Sequence, residues 1–143
     1  MAQMIVNLGA KAIANAYLNN AWPAGGKNLT LRLYTNTHTL ASTDATAQLT
    51  EATGGGYAGI ALTNGSWTLA FTGSIWTATY TQQTFTLTGP LTTNPNAIGY
   101  YITDADGVVI TEEAFAVAFS PFNNGDAKPV TPTIQFSHGT PAT

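Results

Sequence analysis

The segment NLTLRLYT, residues 28–35, alternates Leu29, Leu31 and Leu33 with Thr30, Arg32 and Tyr34. A two-residue period puts the leucines on one side of an extended chain, the pattern of a strand with one buried face. Similar segments follow at short intervals: YAGIALT (57–63), SWTLAFTG (66–73), SIWTATYTQQTFTLTG (74–89), AIGYYITD (97–104), VVITEEAF (108–115), FAVAFSPF (115–122) and KPVTPTIQFS (128–137). Turn clusters separate them, at NGS (64–66), PLTTNPN (90–96), DADG (104–107) and NNGD (123–126). Short strands punctuated this often predict a mainly β chain, an antiparallel sandwich or a barrel-like sheet. The segment 74–89 is long for one strand and is expected to bend near Gln82 and Gln83. Residues 36–49, without a clear period, are expected to form a long loop.

The composition agrees with that pattern. The chain has 25 threonines, which are β-branched and suit a pleated strand while keeping an exposed face wet without charge. Only 8% of residues are charged and the net charge is −3. Four scattered cations, Lys11, Lys27, Arg32 and Lys128, cannot follow a phosphate backbone or hold an anionic membrane surface, which argues against both as partners. So little surface charge offers weak repulsion against association, which favours a protein working in an assembly. With no cysteine, disulfides, thiol nucleophiles and cysteine metal sites are excluded. The 143 residues are expected to form a single domain, with 138–143 as a tail.

Residues 3–20 form the one helical pattern. Met4, Ile5, Val6, Leu8, Ala10, Ala12, Ile13, Ala16 and Tyr17 fall on one broad side, with Asn7, Lys11 and Asn15 opposite. That arc is wider than one sheet covers, so a second cover is expected, a neighbouring chain among the candidates. Asn19, Asn20 and WPAGG (22–26) end the helix. Polar interruptions and the lack of a basic leader argue against a signal peptide. No run is long enough to span a membrane.

The triple glycine Gly54, Gly55 and Gly56 invites a ligand reading. A phosphate loop needs a following lysine, and none lies between Lys27 and Lys128. A dinucleotide loop needs a helix next, and a strand pattern follows instead. The glycines are therefore expected to supply positive φ or a bulge where the chain joins a sheet. DADG resembles the opening of a calcium loop but lacks the third acid at the right offset, so Asp106 and Gly107 are expected to form a hairpin turn. Glu112 and Glu113, adjacent on a strand, point to opposite faces and cannot act as a pair. His38 and His138 are expected to be solvated loop histidines, with no convergent metal site. No catalytic residue, cofactor or metal is expected. Trp67, Trp76, Tyr57, Tyr80, Tyr100 and Tyr101 crowd the middle of the chain; core packing is the plainer reading, with glycan stacking or interface anchoring as alternatives.

The stretches LTEATGGGYAGIALTNGSW (49–67), TYTQQTFTLTGPLT (79–92), AIGYYITDADG (97–107), FSPFNNGD (119–126) and VTPTIQFS (130–137) resemble those of small structural proteins of tailed-bacteriophage virions. The resemblance spans about Leu29 to Ser137 and departs at 89–91, where GPL stands for GAL. It implies a head decoration (cement) protein or a minor tail protein, not an enzyme. A decoration protein would bind the major capsid protein on the capsid exterior, stabilise the head and self-associate. The alternative is a minor tail protein or tail adhesin reading a host surface glycan through exposed aromatics. Candidate protein contacts are Ile5, Leu8, Ile13 and Tyr17 on the helix and Pro129 and Pro132 on the last strand, which the prolines confine to a sheet edge or bulges.

Overall fold

The computed structural model describes residues 7–19, 29–41, 44–72 and 75–137. The chain is mainly β, with wholly antiparallel pairing and one N-terminal helix. It divides into two compact units.

The first unit holds helix α1 (Asn7–Leu18) and a sheet of β3 (Thr68–Thr72), β4 (Ile75–Thr79) and β9 (Thr133–Ser137), in the order β3-β4-β9. The helix packs on β4 and β9. Ala14 and Leu18, four positions apart and so on one face, are completely buried there. Ile13 remains 55% exposed, so the sheet covers only part of the apolar arc. Turn 63–67 closes the helix's last turn: Gly65 N–H donates to the Leu18 carbonyl at 3.2 Å. The Asn19 amide brackets Trp67, donating to its carbonyl at 3.2 Å and accepting from its N–H at 3.1 Å. Trp67 stands edge-on to Tyr80, with ring centroids 5.2 Å apart. No helix among the described residues is long and apolar enough to cross a membrane.

The second unit holds a four-stranded sheet, β2-β1-β6-β7, and a two-stranded ribbon, β5-β8. The strands are β1 (Leu29–Tyr34), β2 (Ile60–Leu62), β5 (Gln83–Thr86), β6 (Ala97–Thr103), β7 (Val109–Phe119) and β8 (Ala127–Val130). The leucines of β1 are buried, with Ile102, Tyr100 and Tyr101 of β6, and Phe85 and Leu87 from the ribbon side are buried too. β2 and β7 end the larger sheet without pairing to each other, so no barrel closes among the described residues and the arrangement is sandwich-like.

Two segments are divided differently from the sequence reading. Residues 128–137 make two strands: β8 pairs with β5, and β9 with β4. Pro132 sits in the break, where a residue without an N–H leaves no ladder bond unmade. VVITEEAF and FAVAFSPF merge into the single eleven-residue strand β7. The join is irregular: Gly99 pairs with Ala114 but Ala97 with Phe119, so residues 115–118 have no partner on β6. The long segment 74–89 is interrupted at 80–82, which separates β4 from β5.

Candidate functional site

The glycine run is part of a sheet edge. Tyr34 bridges Glu51, and Leu31 pairs with Ile60. Three steps along β1 thus match nine along the opposing chain, and the excess is extruded as a loop carrying the glycines. Gly54, Gly55 and Gly56 all take positive φ, at 84°, 57° and 72°. Thr88–Thr92 fills the space beside them: a side chain at Gly54 would meet Thr92 at 2.6 Å, one at Gly56 would meet Thr88 at 2.8 Å, and one at Gly55 would strike the Gly89 carbonyl. Thr88 N–H donates to the Gly55 carbonyl at 2.7 Å. The run is packed against its own chain, and Gly56 lines a cavity of about 260 Å³ with Phe85 and Leu87. The DADG turn is held by its first residue. Asp104 Oδ1 accepts from the N–H groups of Asp106 and Val108, both at 2.9 Å, and Gly107 takes φ 80°.

The aromatics follow the packing reading. Trp67, Trp76, Tyr80, Tyr100 and Tyr101 are buried. Tyr57 stacks on Phe85 at 5.8 Å and keeps its hydroxyl in hydrogen bonds. Trp67 and Trp76, the residues that would have formed a glycan platform, do not present open faces.

The contact candidates scatter. Ile13 and Pro129 are exposed and Tyr17 is half-buried. Pro132 is completely buried, so it offers no surface to a partner. Leu8 lies on α1, whereas Ile5 falls outside the described residues.

One constellation was not expected. His38 is no solvated loop histidine; its side chain is 13% exposed and its Nε2 lies 2.7 Å from Asp44 Oδ2 and 3.7 Å from Glu112 Oε1. His38 lies in the segment 35–41, Asp44 just before the short turn 46–48, and Glu112 on β7. Ala41 N–H anchors Asp44 at 2.6 Å, joining the two segments so that both side chains turn to the strand. The Asp44 and Glu112 side chains are each only 9% exposed. Glu112 Oε2 is buried without a hydrogen-bond partner. Burial, and then the neighbouring Asp44, push the Glu112 carboxyl above the usual range. Asp44, beside Glu112 and His38, is held below it, and the Asp44 contact raises His38. The two glutamates part as the strand alternation requires, with Glu113 accepting from the Tyr100 hydroxyl at 2.6 Å. The cluster escaped the sequence reading because 68 positions separate Asp44 from Glu112 and no short motif joins them. His138 falls outside the described residues.

A separate contact joins Arg32 Nη1 to Glu51 Oε1 at 2.7 Å. Both side chains are about a third exposed, so the pair contributes little by charge alone. No protein family, curated protein or solved structure matches the chain.

Proposed function

We propose that the chain is a bacteriophage virion structural protein that decorates the capsid exterior, binding the major capsid protein and stabilising the head. The observation that carries this reading is β7. Among the described residues it ends its sheet, its ladder with β6 is interrupted between Ala114 and Phe119, and its distal half is mostly exposed. Val117 is 77% exposed, as is Phe122 just past the strand. An open edge with apolar side chains can add a strand from another chain and bury those groups. The exposed Ile13 on α1 supports self-association in the same way. Such a protein would stabilise the shell by binding only its assembled form. The buried tryptophans lend the adhesin reading no support.

Particles lacking the protein test this reading directly. Added protein should cosediment with them and raise their resistance to heat, and Val117→Lys with Phe122→Lys should abolish both while the isolated chain stays folded. Absence of cosedimentation, with particle stability unchanged, would overturn the proposal.

A further inference from the structure

We propose that His38, Asp44 and Glu112 form a binding site for one divalent transition-metal ion, zinc being the best fit, that clips the two short segments carrying His38 and Asp44 to β7. The three donor atoms lie within 4.8 Å of one another. Around a zinc ion with bonds near 2.0–2.2 Å, neighbouring ligand atoms of a tetrahedral site stand roughly 3.3–3.6 Å apart. The His38–Glu112 distance of 3.7 Å needs almost no change, and the His38–Asp44 distance of 2.7 Å must open by a fraction of an ångström. Side-chain rotation in a loop supplies that much movement.

The donor chemistry selects the metal. One imidazole nitrogen with two carboxylates suits zinc and similar ions, whereas calcium and magnesium take oxygen ligands. With the imidazole neutral and both acids ionised, the ligands bring two negative charges, which balance a divalent cation. A second observation points to a ligand independently of the spacing. Glu112 Oε2 is buried and unpartnered on a side chain more than nine-tenths buried. An unmet buried carboxylate oxygen is costly, and a cation removes that cost. The cluster borders a cavity of about 330 Å³ lined by Leu40, Ala41 and residues 109–112, with room for water to complete the coordination shell. The clip closes a loop spanning Asp44 to Glu112, so its effect would appear in stability.

The test is titration of the EDTA-treated full chain with zinc chloride, followed by calorimetry and thermal melting. The expected result is one zinc bound per chain and a raised melting temperature, with no comparable response to calcium or magnesium. His38→Gln and Glu112→Gln should each weaken zinc binding by at least about tenfold, since each deletes a ligand. Glu113→Gln and His138→Gln should leave it unchanged. The chain has two histidines, so imidazole NMR signals of the wild-type protein add a readout that needs no variant. Zinc should shift the His38 resonances and spare those of His138. No zinc binding, or binding undiminished by His38→Gln and by Glu112→Gln, would overturn the proposal. If either variant fails to fold, unshifted His38 resonances in zinc-treated wild-type protein would overturn it equally.

Discussion

The Tyr57 hydroxyl accepts a hydrogen bond from the backbone N–H of Leu33 at 3.0 Å. Leu33 lies on β1 where the opposing chain leaves the sheet to form the glycine loop, so the usual ladder acceptor is missing. A side chain from the extruded loop takes its place, and the same hydroxyl donates to Glu51 Oε1 at 3.1 Å. The loop thereby repairs the ladder it interrupts. Burial, the first cause, and the nearby Glu51 carboxylate raise the Tyr57 phenol well above its ordinary value, whereas the Leu33 bond opposes them. The phenol therefore stays protonated, and so able to donate, at any ordinary pH.

Removing that hydroxyl should be costly. Tyr57→Phe keeps the ring stacked on Phe85 but leaves the Leu33 N–H without its acceptor. The expected loss is about 1–3 kcal/mol, read from urea unfolding midpoints. A change within experimental error would show that water replaces the phenol.

The glycines should differ sharply in tolerance. Gly55→Ala combines a left-handed backbone with a clash against the fixed Gly89 carbonyl. Gly107→Ala meets open space and bears only the conformational penalty, about 1–2 kcal/mol. Thermal melting of the two variants should rank Gly55→Ala well below Gly107→Ala. Equal melting temperatures would mean that the 88–92 turn moves aside freely.

Asn19 ties the end of α1 to the Trp67 segment through two hydrogen bonds. Asn19→Ala strands a backbone donor and an acceptor and should destabilise the first unit by about 1–3 kcal/mol. Hydrogen exchange should show faster opening at residues 63–67 than in β1 or β6. Uniform acceleration across both units would contradict a local role.

Asp126 gives a pH dependence of known sign. Its carboxylate accepts from the N–H groups of Asn123 at 2.8 Å and Phe122 at 2.7 Å, which hold its pKa below the ordinary carboxylate value. A lowered folded pKa adds stability above the unfolded value, about 3.9, and that stability is lost as pH falls through the folded value. The difference in urea midpoint between wild type and Asp126→Asn should therefore be largest near neutrality and shrink in acid. A difference independent of pH would assign the effect to packing at the turn.

How much was legible can be judged from particular residues. The alternating leucines of β1, the Asp-Gly hairpin and the positive φ of Gly54, Gly55 and Gly56 each follow from a few neighbouring residues. Period, turn chemistry and the missing Cβ act locally, so local sequence suffices to predict them. The merger of two segments into β7 and the splitting of 128–137 at Pro132 were not legible, because each depends on which distant strand supplies the hydrogen bonds.

The candidate site shows the same division more strongly. Sequence alone determined that Glu112 and Glu113 take opposite faces, because strand geometry fixes that for any adjacent pair. It left His38 as one more polar residue in a loop without a period. Only the tertiary structure decided that this segment returns to β7, places Asp44 and Glu112 beside the imidazole, and buries most of each side chain. Burial and proximity between residues 68 positions apart are set by how the chain closes on itself, which no short stretch of it encodes.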